Sequence, residues 1–173
     1  MHCYCGSQKL FSHCCQPYIT GDKKAESAHV LMRSRFSAYA SKIGSYLYAT
    51  YAKESQVLQT ETEIQQWAED CEWIALVIHY FDENTVDFSA YYIHNNRLCH
   101  LREVSRFALE TKEAPSLEAH NTLDIEQWVY LDGNITEHEE LKAIKRNETC
   151  PCNQFKTRWK TKANKKYKQC CGK

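Results

Sequence analysis

Eight of the ten cysteines in this chain fall in two clusters, one near each end. The first stretch reads CYCGSQKLFSHCC and supplies Cys3, Cys5, Cys14 and Cys15. The second reads CPCNQFKTRWKTKANKKYKQCC and supplies Cys150, Cys152, Cys170 and Cys171. Both follow one layout: Cys-x-Cys, a lysine-containing spacer with an aromatic residue near its end, then Cys-Cys. The spacer is eight residues long in the first copy and seventeen in the second. Disulfides, a redox pair and a bound metal are the chemistries such clusters support. No signal peptide precedes the first cluster and no apolar run approaches a membrane span, so a cytoplasmic, reducing location is expected, which disfavours disulfides. The usual redox spacing, Cys-x-x-Cys, is absent.

Metal explains more. Four thiolates converging from two short knuckles suit tetrahedral zinc, with Zn–S bonds of roughly 2.3 Å. Gly6 follows Cys5 where a tight turn calls for positive φ. Neither cluster is long enough to bury a core, so a metal must supply its folding free energy. The longer second spacer is affordable. Lengthening a loop from eight to seventeen residues costs about 0.7 kcal/mol in closure entropy, against roughly 10 kcal/mol from structural zinc. Two structural zinc sites are therefore expected, with all eight clustered cysteines as ligands. Cys71 and Cys99 stand apart and read as small buried hydrophobes.

What lies between the clusters must position them. A chain of 173 residues, 43% hydrophobic with four Trp and eleven Tyr, holds one ordinary domain plus small appendages. We place a first knuckle and linker at residues 1–24, a middle domain at 25–145 and a second knuckle at 146–173. Ser27 reads as an N-cap, followed by Ala28, Met32, Phe36, Tyr39 and Ile43 along one helical face. Gly44 interrupts, a short helix follows from Ser45, and residues 60–71 read as a third helix. The period then changes to two. Strands are predicted over 72–81, 86–94, 97–109 and 125–133, with turns at 82–84 and 95–96, a polar connection over 110–124, and a lead-in to the second knuckle after 133. Helices first and meandering strands after give an α+β domain.

Net charge is zero, but residues 153–173 carry eight Lys or Arg and no acidic residue, leaving −8 on the rest. Phe155, Trp159 and Tyr167 interleave with these cations. Such a tail reads either as a solvated face whose aromatics pack on the knuckle, or as a surface for nucleic acid or protein. Lys165, Lys166, Lys168 and Trp159 are its candidate contacts.

The first cluster, with Gly6-Ser7 after the second cysteine and an aromatic before the final pair, resembles the SEC-C zinc motif. The second departs from it, with Asn153-Gln154 in place of Gly-Ser and about nine extra residues in the spacer, and it matches again in KKYKQCCGK. Two such motifs around a middle domain resemble the YchJ family of bacterial proteins. LMRSRFSAY (31–39), LREVSRF (101–107) and WVYLDG (128–133) carry the resemblance of the middle domain. The resemblance implies a nuclear transport factor 2-like cone, helices packed on a curved antiparallel sheet with an open mouth. It also implies that the knuckles contact other proteins or the ribosome, as the motif contacts the SecB chaperone in the SecA translocase.

The leading expectation is thus a non-enzymatic, zinc-binding adaptor with no membrane association. Its runner-up is an enzyme or small-molecule binder that uses the cone. For that reading the candidate pocket residues are Arg33, Arg35, His100, Arg102 and Arg106, with His79, Tyr91 and Glu103 nearby. On strand 97–109, His100, Arg102, Val104 and Arg106 share one face and Leu101, Glu103, Ser105 and Phe107 the other. The bland alternative makes the charged face solvated and pairs Arg35 with Glu103. A third reading is a zinc-dependent nucleic-acid binder. No nucleophile–base pair and no phosphate-binding loop stands out.

Overall fold

The computed structural model describes residues 1–115, 122–155 and 164–173. Ser27 caps helix α2 (Ala28–Ser41) by accepting from Val30 N at 3.3 Å, as its position predicts. Before it lies a one-turn helix, α1 (Gln16–Ile19), with Pro17 in its first turn, where the sequence suggested only a linker. Lys42, in the left-handed conformation at φ 62°, ends α2, and α3 (Gly44–Ala49) follows at an angle. Ile43 therefore leaves the apolar stripe. In its place α2 buries polar residues: Ser34 donates to Leu31 O at 2.8 Å and Ser37 to Arg33 O at 3.0 Å. These bonds satisfy the hydroxyls within the helix, so they can be buried on it. Helix α4 (Glu61–Asp70) starts on a complete capping box. Thr60 Oγ1 accepts from Glu63 N, and the Glu63 carboxylate accepts from Thr60 N at 2.8 Å.

Four strands make one antiparallel meander in the order β1 (Glu72–Phe81), β2 (Thr85–His94), β3 (Arg97–Pro115), β4 (Thr122–Ala143). Asn95 and Asn96, at φ 49° and 58°, form the two-residue β2–β3 turn that both residues tolerate. Asp82 Oδ1 closes the β1–β2 turn by accepting from Asn84 N and Thr85 N. The β3–β4 ribbon is much longer than its sequence suggests. Residues 110–115 and 122–124 continue the strands where a polar connection was expected, and β4 runs ten residues past Gly133.

Bulges explain the concealment. Pairing with β3 skips Leu131, Thr136 and Leu141 on β4, and each extra residue inverts the alternation of faces. The residues of β4 that face the helices are accordingly Tyr130, then Gly133 and Ile135, then His138. No fixed period of two runs through that set.

The sheet is covered on both faces. Phe36, Trp73, Phe88, Tyr92 and Phe107 make the larger core under α2. Ile74, Ala75, Ile93 and Leu98 point the other way and pack on Ile144, Cys150, Cys152 and Tyr167. The C-terminal knuckle is thus the cover of the sheet's second face. The N-terminal knuckle lies on the far side of the molecule, against α2. No helix among the described residues is long and apolar enough to cross a membrane.

Candidate functional site

Each cysteine cluster is built by the same short hydrogen-bond frame. In the first, Cys3 N donates to Lys9 O at 2.8 Å, Gly6 N to Cys3 O at 3.3 Å and Cys14 N to Phe11 O at 3.1 Å. In the second, Cys150 N donates to Lys165 O at 2.9 Å, Asn153 N to Cys150 O and Cys170 N to Tyr167 O, both at 3.0 Å. Bridges His2–Leu10 and Thr149–Lys166 close the two loops alike. Cys14 and Cys170, the first cysteines of the closing pairs, share an unusual backbone, with φ/ψ of −129°/−95° and −130°/−101°. Gln8 and Asn164 take matching left-handed positions at φ 65° and 58°. The extra residues of the second spacer therefore leave the frame intact. Gly6, at φ 76°, makes the first turn as anticipated. Asn153 replaces it by a different device: its Nδ2 donates to Cys150 O at 2.9 Å while its Oδ1 accepts from Asn164 N at 3.1 Å, holding the two ends of the insertion together.

This frame brings four sulfurs together at each end. In both tetrads all four Sγ atoms lie within 4.8 Å of one another. Cys5–Cys14 and Cys14–Cys15 are 3.7 and 3.9 Å apart, and Cys152–Cys170 and Cys170–Cys171 are 3.5 and 3.9 Å apart. A tetrahedron with metal–sulfur bonds of about 2.3 Å has edges of about 3.8 Å, so the donor sets fit. None of the ten cysteines is joined in a disulfide. Sulfur contacts with Cys3 and Cys5, together with burial, push the Cys15 thiol up, and burial pushes Cys170 up to about 11. Four thiolates cannot coexist at such spacing without a cation. The first tetrad has a supporting shell. Ser7 Oγ lies 3.2 Å from Cys14 Sγ, Ser37 Oγ lies 3.7 Å from Cys3 Sγ, and Arg33 Nη1 donates to Cys5 O at 3.0 Å.

The proposed contact residues of the tail lie around the second tetrad. Lys166 and Lys168 are exposed and Lys165 is half-buried. The tail's aromatics are turned inward: Phe155 packs on Tyr91 at 4.5 Å between ring centroids, and buried Tyr167 donates to Asn96 Oδ1 at 2.9 Å. Trp159 lies outside the described residues.

Between α2, α4 and the sheet a cavity of about 350 Å³ opens. Of the five arginine and histidine candidates for a pocket, Arg35 alone lines it. Arg33 turns to the first knuckle and donates through Nε to His29 Nε2 at 2.8 Å. Arg102 pairs with Asp87 at 3.0 Å and with Glu137 at 3.3 Å, and Arg106 pairs with Asp132 on an exposed edge. The Arg102 guanidinium holds the Asp87 carboxyl below the usual carboxylate range. His100 is buried on the opposite sheet face, stacked on Tyr91 at 4.8 Å. Its Nε2 shares the Ser89 hydroxyl with exposed His79, at 2.9 and 2.8 Å. Its Nδ1 lies 3.6 Å from both Glu137 and Glu139. Those carboxylates are exposed, and Glu137 already pairs with Arg102. The alternation on β3 had separated the two faces as observed; the cavity lies on the Leu101–Glu103–Ser105 side. Glu103 accepts from Ser105 Oγ at 2.6 Å and Tyr130 Oη at 3.0 Å and makes no ion pair with Arg35.

Comparison with known proteins agrees with this architecture. Residues 27–133 match the family model described as YchJ, middle NTF2-like domain. A UPF0225 protein of Pectobacterium carotovorum is 33% identical over 98% of this chain and 97% of its own length. Another, from Photorhabdus laumondii, is 32% identical with 98% of each chain covered. Among solved structures, a SEC-C motif protein from Psychrobacter arcticus covers 99% of this chain and 96% of its own at a TM-score of 0.64 and 24% identity, a likeness of fold. RPA3114, a SEC-C motif protein from Rhodopseudomonas palustris, is 26% identical with a TM-score of 0.63 over 79% of this chain and 100% of its own.

Proposed function

This chain belongs to the YchJ (UPF0225) family, and on that premise we propose that it is a cytoplasmic adaptor whose two four-cysteine knuckles each hold a structural zinc ion. One observation carries the reading. Two stretches of different length and sequence reproduce the same hydrogen-bond frame and the same convergence of four sulfurs. Four thiolates saturate tetrahedral zinc and leave no open position for substrate, so the ion supplies cohesion and no catalysis. The knuckles lie on opposite sides of the domain, which lets one serve as a brace while the other meets a partner.

The second knuckle is the better contact surface. It places Lys166 and Lys168 in solvent beside a tetrad whose own charge, with zinc, is −2. Its aromatics support the surface from below by packing on the sheet. The partner this favours is an acidic protein face or a ribosome, reached through charge. Replacing Lys165, Lys166 and Lys168 together with glutamine is expected to weaken capture of that partner at least tenfold at low salt, with wild-type capture fading as salt rises. Pull-down from lysate with ribosomes followed separately is the check. Equal capture by the triple variant would remove this surface from the account.

A further inference from the structure

The cone cavity contains two opposite charges that the protein keeps apart. Arg35 is 3% exposed, yet no carboxylate oxygen of a described residue lies within 4.0 Å of it. Its Nη1 donates to Leu47 O at 2.8 Å and Thr50 Oγ1 at 2.6 Å. The guanidinium lies 4.4 Å from the ring centre of Tyr51 and 4.7 Å from that of Tyr130. Among the described residues nothing accepts from its Nε or Nη2, and the residue lines the cavity. That edge carries the two parallel N–H groups with which arginine grips a carboxylate. A buried charge of this kind calls for a counter-ion.

Glu103 is the second charge, on the wall made by β3. Its Oε1 takes both protein donors, Ser105 and Tyr130, while no described residue donates to Oε2. Tyr130 touches both charges, with its ring against Arg35 and its hydroxyl on Glu103, and so spaces them one ring apart. Gly133 makes room for the carboxylate, since a Cβ there would fall 1.9 Å from Glu103 Oε1. Much of the remaining wall is aromatic, with Tyr39, Trp67, Trp73 and Phe88 beside the aliphatic Met32, Ile64 and Leu101. Exposed Gln59, Glu63 and Ile135 mark the mouth. About 350 Å³ is the size of a pocket for a small metabolite.

We propose that this cavity binds a free α-amino acid with an aromatic side chain. Its carboxylate sits on the Nε–Nη2 edge of Arg35, its ammonium on Glu103, and its ring against the indoles of Trp67 and Trp73. A simple anion would satisfy Arg35 but face Glu103, and a simple cation would do the reverse. A zwitterion answers both, and the aromatic wall selects its side chain.

The test uses the full-length, metal-replete protein and three probes: L-phenylalanine, 3-phenylpropionate, which lacks the ammonium, and 2-phenylethylamine, which lacks the carboxylate. Calorimetric titration is expected to show saturable binding of L-phenylalanine, with each truncated probe roughly tenfold weaker or more. Glu103→Gln keeps an acceptor for Ser105 and Tyr130. It should weaken L-phenylalanine roughly tenfold while leaving 3-phenylpropionate unchanged or tighter. Arg35→Met should abolish binding of both carboxylates; should that variant fail to fold, Glu103→Gln decides alone. Absence of saturable binding by L-phenylalanine, and by L-tyrosine and L-tryptophan titrated in the same way, overturns the proposal. So does equal affinity for the truncated probes, or unchanged selectivity in Glu103→Gln.

Discussion

Serine in place of both Cys150 and Cys152 is expected to remove one zinc ion and to cost the whole protein about 3–5 kcal/mol of stability. For a domain of this size that lowers Tm by roughly 10 °C. The effect is large because the second knuckle is the cover of a sheet face. Cys150 and Cys152 are buried together with Ile74, Ile93, Leu98 and Tyr167. Tyr167 also ties the knuckle to the β2–β3 turn through Asn96, whose carbonyl accepts from Ile144 N at 2.8 Å. Without the metal this cover has no cohesion of its own, and the apolar face beneath it meets water. Serine at Cys14 and Cys15 removes one ion at smaller cost, because the first knuckle's buried cysteines form a small cluster of their own, joined to α2 through Arg33 and Ser37, and cover no face of the sheet. Chemical unfolding with metal analysis compares the two variants. Equal stability losses would show that covering the sheet gives the second knuckle no larger part in stability than the first.

Trp73→Ala is expected to cost about 3–5 kcal/mol, and Trp73→Phe about 1–2 kcal/mol. Trp73 is the hub of the aromatic cluster, 4.8 Å from Tyr39, 5.1 Å from Tyr92 and 6.0 Å from Phe36 between ring centres. Its removal leaves a void continuous with the cone cavity that it lines. Phenylalanine keeps much of this packing. It also deletes an N–H that is buried without a hydrogen-bond acceptor among the described residues, which offsets part of the lost contact. A phenylalanine variant as unstable as the alanine variant would mean that the indole nitrogen is held by something other than ring faces. Unfolding by urea followed by circular dichroism is the measurement.

How far these features could be read from the sequence depends on whether local rules act alone. Residues 60–71 read as a helix from their own local pattern, and α4 occupies 61–70 of them. Asn95-Asn96 announced the turn between β2 and β3 for the same reason. The cysteine tetrads were legible because ligand spacing is a local signal, and the frame of the second survives its insertion. Two things were not legible. β4 hid behind its bulges at Leu131, Thr136 and Leu141, which break the period of two on which strand reading rests. Arg35 gave no sign of its burial, because an arginine on a helix ordinarily reaches solvent; only tertiary contacts with Leu47, Thr50, Tyr51 and Tyr130 enclose it. The charged face of β3 carries a row of cations in sequence, yet acidic partners on β2 and β4 neutralise Arg102 and Arg106. The cavity uses the other face, where Glu103 and Ser105 stood among apolar residues.

The most direct test of two structural metal sites is the mass of the intact, reduced chain measured under native conditions. A mass above that of the polypeptide by two zinc ions is predicted, falling by one ion in the variant with serine at 150 and 152. A metal-free mass with all thiols reactive, from folded protein prepared without chelator, would contradict the account.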